Sequence, residues 1–302
     1  MINLITQAGC FVGIILLGAL LRRVGFFKRE DMALLAKISL RITLPAAIVS
    51  SFAGKTLAPD LLVIALLGLG MNILLMGVGW LANLRRSRRE QAFGIVNLSG
   101  CNVGAFTLPF VQTLLGTEAV MVASLFDMGN AVIGLGTSYG IAATVQDGQR
   151  FSFKRLGKTV STSPTIITYV VMTCLTLLHI RLPAPVTEFA DLVGRSNTFV
   201  AMLMIGVGFE LTLDKSRLGR LLEMILLRYG VGVILAVVFW NLLPYERTVR
   251  LVMVILALSP IITAAPAYTE ELKNDVGLSS ALNSICILLS MLLYVGVLSF
   301  MM

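Results

Sequence analysis

The sequence predicts an all-α membrane protein with ten transmembrane helices. Of its 302 residues, 57% are hydrophobic and only 13% are charged, whereas a soluble domain has about 25% charged residues. The charges are confined to short clusters between long apolar runs. A helix needs about 20 apolar residues to cross the hydrocarbon core, and barrel strands are shorter and alternate in polarity. The runs therefore predict membrane-spanning helices.

Ten segments are predicted as spans. They cover residues 2–21, 31–53, 59–83, 91–115, 119–144, 159–179, 186–210, 218–242, 247–270 and 277–301. The connections between them are short, so we predict no soluble domain and no flexible linker.

Lysine and arginine residues are distributed unevenly over the connections. The odd-numbered connections carry sixteen of them, and the even-numbered connections carry five. Because these residues are retained on the cytoplasmic side, we expect both termini of this multi-pass protein to lie outside the cell (inner) membrane. The same distribution explains the net charge of +8, so the expected partner is the lipid bilayer and not a nucleic acid.

The two halves of the chain align with each other. A shift of 157 residues superposes Pro109 on Pro266 and Glu118 on Asp275, and it aligns spans 2–5 with spans 7–10. We therefore expect one five-helix repeat at residues 1–146 and a second at residues 147–302. Since five is an odd number, the second repeat must be inverted, which is typical of secondary transporters.

Spans 4 and 9 are predicted to be broken helices that form the substrate site. The residues assigned to this site are Asn102, Gly104 and Pro109 in span 4, and Pro260, Thr263 and Pro266 in span 9. Proline removes a backbone donor and glycine weakens a helix. At membrane depth, irregular backbone has to line a cavity or be buried in protein. Freed N–H groups at half-helix N-termini favour an anion. A pair of kinks that allow close helix packing is the alternative.

Further polar residues lie within the spans. Asp127 in span 5, where an isolated charge costs about 2.5–3.5 kcal/mol, is assigned to coupling together with Asn130. A hydrogen-bonded aspartate that only holds helices together is the alternative. Arg41 in span 2 is a candidate for attracting the anion, and snorkelling or a structural ion pair explains it equally well. Glu223 and Arg228 in span 8 are assigned to structural roles.

Catalytic and metal-binding functions have no support in the sequence. No span holds a nucleophile–base pair, and the four cysteines lie in apolar segments without metal-ligand spacing. We interpret these cysteines as small buried apolar residues. We predict that the protein is not an enzyme and has no cofactor.

Four stretches of the sequence resemble the auxin efflux carrier family, within the wider group that includes bile acid–sodium symporters. They are Leu35 to Ser51 with Leu44-Pro45-Ala46, Asn102-Val-Gly104 to Pro109 and on to Gly116-Thr-Glu118, Gly206 to Leu211 before a basic loop, and Ser259-Pro260 to Tyr268 followed by Asn274-Asp275. They occur in family order across almost the whole chain.

The resemblance implies a scaffold formed by spans 1, 2, 6 and 7, and a mobile core formed by spans 3–5 and 8–10, in which the broken helices 4 and 9 cross. It also implies a small organic anion such as a carboxylate as the substrate, and homodimerisation through the scaffold. Bile acid symporters bind sodium near the crossing with acidic and amide side chains. Here span 9 has Thr263 and no carboxylate before Glu270, which departs from that pattern.

The function predicted from these features is alternating-access, elevator-type secondary transport of a small organic anion, coupled to a proton or a sodium ion as in a symporter. Two alternatives remain open. One is an anion channel that uses the same site. The other is a drug or metabolite exporter of a different ten-helix fold, although such exporters usually have both termini inside.

The first prediction concerns topology. A reporter that functions only in the cytoplasm, fused after Met302, should give no signal, because the charge distribution puts this terminus outside. The same reporter inserted in the basic connection after span 5 is the positive control. A strong signal from the C-terminal fusion would contradict the predicted orientation.

Overall fold

A computed structural model describes residues 2–148, 150–210 and 215–301 of the chain. Leu211, which ends one of the resembling stretches, and Met302 lie outside the described residues. Within those ranges the chain forms fourteen α-helices and no β-strand. The helices are α1 (Ile2–Arg23), α2 (Asp31–Ile38), α3 (Leu44–Phe52), α4 (Val63–Leu81), α5 (Arg88–Leu98), α6 (Leu108–Val132), α7 (Ser138–Asp147), α8 (Phe153–Ser161), α9 (Pro164–Leu177), α10 (Ala184–Gly208), α11 (Leu218–Leu242), α12 (Arg247–Ala257), α13 (Ala265–Glu271) and α14 (Val276–Met301).

Six helical segments in the described part of the chain are long and apolar enough to cross a membrane. They are Thr6–Arg23, Asp31–Phe52, Pro59–Leu81, Val103–Asp147, Leu218–Leu242 and Val276–Met301. Large apolar side chains on these segments, among them Leu66, Leu226 and Leu292, are exposed, as is typical of surfaces that contact lipid. The predicted class, an all-α membrane protein, is confirmed.

The remaining predicted spans correspond to helices that are interrupted, shorter or charged. The apolar segment Val103–Asp147 is 45 residues long, about twice the length that a bilayer requires. Gly116, with φ of 81°, interrupts its helical conformation between predicted spans 4 and 5, and glycine adopts this conformation without steric cost. Predicted span 6 corresponds to the shorter α9, and span 7 to α10, which carries several charged side chains.

Three π-helical turns interrupt the described helices, at Ser39–Thr43, Val103–Thr107 and Ile133–Thr137. Proline explains the first two, because Pro45 and Pro109 cannot donate to the carbonyl group four residues earlier, which lies inside the turn. Such turns are frequent at functional sites.

The two broken helices meet at their breaks. The first break follows α5, where Gly100 turns the chain with φ of 76°; the second lies between α12 and α13. The backbone N of Asn102 donates to the oxygen of Pro260 at 2.9 Å, and the N of Ile262 donates to the oxygen of Gly100 at 3.2 Å. The breaks therefore satisfy part of each other's backbone where water is absent.

The helices pack in two groups. In one group, α10 packs along α1, α2 and α3, and α9 packs against α3. In the other, α4 packs against α5 and α6, α5 against α7, α11 against α12 and α14, and α13 against α14. Helix α12 contacts α6, so the second group contains both breaks. Gly18 on α1 and Gly206 on α10 face each other, and a side chain at either position would meet the other helix's backbone.

Candidate functional site

A cavity of about 320 Å³ lies beside the two breaks, which is within the size range of small-molecule sites. Residues of all three π turns line it, together with the break between α12 and α13 and the first residues of α9. Helix α9 begins just after the basic connection that contains Arg150 and Lys158. The cavity therefore lies next to the end of this basic connection.

The structure brings most of the predicted site residues together. Six of the nine line the cavity: Arg41, Asn102, Gly104, Asp127, Asn130 and Thr263. The three prolines do not line it. Pro260 lies in the second break, where its carbonyl accepts from Asn102, and Pro266 lies in the first turn of α13. Pro109 lies in the first turn of α6, beyond the break, which occurs at Gly100.

Asn102 has a buried donor without an acceptor. The residue is 3% exposed and directly precedes the helical segment that begins at Val103. Its side chain does not cap that helix, and its Nδ2 has no hydrogen-bond partner among the described residues. Leaving such a group unsatisfied costs about 1–3 kcal/mol, and the exceptions in folded proteins need an explanation. A ligand in the cavity would supply the missing acceptor.

The helical segment that begins at Val103 presents its N-terminal end to the cavity. Gly104 and Ala105 line the cavity wall, and the amides in the first turn of a helix have no intrahelical acceptor. Such an end carries a partial charge of about +0.5. Position 104 is crowded, because a Cβ atom there would lie 2.6 Å from Leu44 Cδ2 and 3.4 Å from Asp127 Oδ2. A larger residue would therefore require the side chain of Leu44 to move.

Asp127 accepts two hydrogen bonds and is 6% exposed. Its Oδ1 accepts from Asn130 Nδ2 at 2.6 Å, and its Oδ2 accepts from the hydroxyl group of Tyr169 at 2.6 Å. Both bonds are donated to the carboxyl group, an arrangement that suits a carboxylate. Tyr169 belongs to α9 and is 1% exposed, so this bond joins predicted spans 5 and 6.

Asn130 connects Asp127 to the first break. Its Oδ1 accepts from the backbone N of Cys101 at 2.8 Å, and its Nδ2 donates to the carbonyl oxygen of Cys101 at 2.9 Å. The amide side chain therefore pairs with Cys101 much as a neighbouring strand would. The side chain of Asn130 therefore links the carboxyl group of Asp127 to the break by hydrogen bonds.

Arg41 supplies the positive charge on the cavity wall. It is exposed, lies within the first π turn and lines the cavity. It takes part in none of the ion pairs found among the described residues. Of the three roles open for Arg41, its exposed position is compatible with attraction of an anion and with snorkelling, and no ion-pair partner for it is found among the described residues.

The breaks are packed tightly on the side away from the basic connections. The hydroxyl groups of Thr107 and Ser259 lie 2.6 Å apart, and each contacts the hydroxyl of Tyr294, at 2.8 and 3.1 Å. The rings of Phe106 and Phe110 pack against Tyr294 with centroid distances of 5.7 and 5.4 Å. All five side chains are fully buried, and none of them lines the cavity.

Two residues at the site were not assigned to it from the sequence. Tyr169 is one of six tyrosines, and nothing in its apolar segment distinguishes it from a packing residue. Arg228 was assigned a structural role, but it contacts both breaks. The sequence did contain a signal for Arg228, because an arginine ten residues inside an apolar helix needs polar partners. Its neighbour Glu223 instead pairs with Arg86 and Arg220.

Comparison of the chain with protein-family models and with curated protein sequences gives no match.

The second prediction concerns the Asp127–Tyr169 bond. Tyr169→Phe should lower the free energy of unfolding by about 1–3 kcal/mol, because a buried acceptor loses its donor. Combined with Asp127→Asn, the two effects should deviate from additivity by about 0.5–3 kcal/mol, as expected for residues in contact. The measurement is the thermal or denaturant unfolding of the purified single and double variants.

Tyr245→Phe is the matched control for this cycle. The hydroxyl group of Tyr245 donates to the carbonyl oxygen of Asp60 at an exposed position, so its removal should change stability by less than about 0.5 kcal/mol. Additive effects of Tyr169→Phe and Asp127→Asn would show that the two side chains do not interact.

Proposed function

We propose that the protein is a secondary transporter of small organic anions that works by alternating access, like the auxin efflux carriers that its sequence resembles. The observation that carries this proposal is Asn102, which lines the cavity and whose buried Nδ2 has no hydrogen-bond partner among the described residues. It lies at the N-terminal end of a broken membrane helix, which is where transporters bind anionic groups.

The chemistry of the cavity favours an anion over a cation. The residues that line it include Asn102, with its unpartnered Nδ2, Gly104 in the first turn of a helix, and Arg41, which is its one cationic residue among those described. The carboxyl group on its wall, Asp127, already accepts bonds from Tyr169 and Asn130. A carboxylate is the simplest group that satisfies these donors, because its oxygens accept several hydrogen bonds at once.

The positions of the breaks support a ten-span architecture of two inverted repeats. Helices α5 and α12 have 11 residues each and both precede a break. Pro109 and Pro266, which the 157-residue shift superposes, each lie in the first turn of the α-helix that follows a break, α6 and α13. Interrupted helices at corresponding positions of two repeats are characteristic of transporters.

The helix packing supports a scaffold and a core. Helices α1, α2, α3, α9 and α10 would form the scaffold, and the group that contains both breaks would form the core. In the cell (inner) membrane with both termini outside, the cavity would open to the cytoplasm. The cluster around Tyr294 would close the exterior side, so the structure would correspond to an inward-facing state.

Asp127 is the proposed coupling residue. Its bond to Tyr169 would join core to scaffold, so movement of the core would remove one donor from the carboxyl group. A buried carboxyl group that loses a donor is stabilised by binding a proton or a cation. Release and rebinding of that ion would then accompany each transport cycle.

The third prediction tests the substrate site. Carboxylates that raise the thermal midpoint of the purified protein would be assayed by counterflow in proteoliposomes. Asn102→Leu should weaken their binding by roughly 5- to 150-fold, because it removes the donor, and should abolish transport without loss of folding. Asn241→Leu on the exposed end of α11 is the matched control, since Asn241 bonds only its own helix.

Asp127→Asn separates coupling from binding in the same assay. It should retain counterflow and lose uphill uptake driven by a pH gradient if a proton is the coupling ion. If sodium is the coupling ion, the variant should lose sodium-stimulated uptake instead. Full transport by a folded Asn102→Leu variant would contradict the proposed site, and currents far above carrier turnover would indicate a channel.

A further inference from the structure

Arg228 is a charged side chain in the interior of the molecule without a carboxylate partner. It lies in the middle of α11 and is 2% exposed. None of the ion pairs found among the described residues includes it. Arginine remains protonated in proteins, and a buried charge is strongly unfavourable unless other groups compensate it. The compensation has to come from the groups that the guanidinium contacts.

These groups belong to both breaks. Nη1 donates to the carbonyl oxygen of Leu98 at 2.6 Å, and Nη2 donates to the carbonyl oxygen of Ser259 at 2.9 Å and that of Pro260 at 3.4 Å. Nη2 also lies 3.2 Å from the sulfur of Cys101. Leu98 is the last residue of α5, and Ser259 lies two residues beyond the end of α12. One guanidinium therefore joins the C-terminal ends of both half-helices.

The charges of these helix ends match the charge of the guanidinium. The C-terminal end of a helix carries a partial charge of about −0.5, because its last carbonyl groups lack intrahelical donors. Two such ends together supply about −1, opposite to the single positive charge of Arg228. The two helix ends thus compensate the charge of Arg228 in place of a carboxylate.

The guanidinium also occupies the kind of position at which ion-coupled transporters bind sodium. In broken-helix transporters, carbonyl groups of unwound segments and half-helix C-terminal ends coordinate the sodium ion. Here the carbonyl groups of Leu98, Ser259 and Pro260 face the tethered guanidinium instead. Cys101 separates this group from the cavity, because it contacts Arg228 and also lines the cavity wall.

We propose that Arg228 is the resident cation of the crossing: it neutralises the C-terminal ends of both half-helices, so that the crossing forms without a bound metal cation. The neutralisation is independent of the substrate. The consequence for coupling rests on the proposed function: the anion binds without sodium at the crossing, and Asp127 remains as the residue that exchanges the coupling ion.

The fourth prediction tests the charge of Arg228 in the purified full-length protein. Arg228→Met should lower the thermal midpoint by roughly 10 °C, because the helix ends lose their counter-charge. Arg228→Lys keeps a charge with fewer donors and should lie between Met and the wild type. Removal of one partner from a buried charged pair is strongly destabilising, whereas replacement of both partners is often neutral, so a Met variant as stable as the wild type would show that the helix ends need no counter-charge and would overturn the proposal.

Chemical rescue distinguishes a charge from a space-filling group. Millimolar guanidinium chloride should restore the midpoint of Arg228→Ala, and urea, a neutral molecule of the same shape, should not. Arg195→Ala is the control. Arg195 pairs with Asp191 at an exposed position, where an ion pair contributes little to stability, so neither its loss nor added guanidinium should change the midpoint appreciably. Equal rescue by urea would overturn the proposal.

A comparison of salts tests the absence of a metal cation at the crossing. In Asp127→Asn, which removes the carboxylate proposed to exchange the coupling ion, the thermal midpoint should be the same in sodium chloride and choline chloride at equal ionic strength, and a sodium-specific increase in this variant would overturn this part of the proposal. If the neutral variants do not fold, the yield of monodisperse Arg228→Lys should exceed that of Arg228→Met, and equal yields would contradict the role of the charge. None of these measurements uses a substrate, so they succeed or fail independently of the proposed transport.

Discussion

A helix that is broken inside a membrane has to satisfy its exposed backbone groups with protein, because the bilayer core offers no water. In this protein each break serves as the main partner of the other, through the bonds from Asn102 to Pro260 and from Ile262 to Gly100. Asn130 and Arg228 complete the arrangement by binding backbone groups that the breaks leave over. The cavity, the packing of α12 against α6 and the placement of Asp127 all depend on this mutual pairing.

The pairing also separates charge across the crossing. The helix ends with free carbonyl groups meet at Arg228, on the side away from the cavity, whereas the N-terminal end that begins at Val103 faces the cavity. The helix end therefore adds a partial positive charge of about +0.5 to that of Arg41, the one cationic residue that lines the cavity in the part of the chain that the structure describes. The proposed anion site rests on these two contributions.

The sequence predicted features that depend on local chemistry. Long apolar runs predicted the membrane class. Polar residues inside these runs, such as Asn102 and Asp127, were predicted to form the site, and the structure brings them to one cavity. It did not predict partners that depend on three-dimensional packing. Tyr169 meets Asp127 only because α9 packs beside α6, and Arg228 binds carbonyl groups, which no residue pattern marks. The break in span 4 occurs at Gly100 because glycine accepts the left-handed conformation, whereas Pro109 is accommodated by a π turn.

The most direct test of the account is an experimental structure of the protein with a stabilising carboxylate bound. The account predicts one carboxylate oxygen within hydrogen-bond distance of Asn102 Nδ2 and the carboxylate facing the amides near Gly104, with Arg228 still bound to both breaks. A carboxylate bound away from the breaks would contradict it. So would a ligand that reaches the cavity but leaves Asn102 Nδ2 without an acceptor.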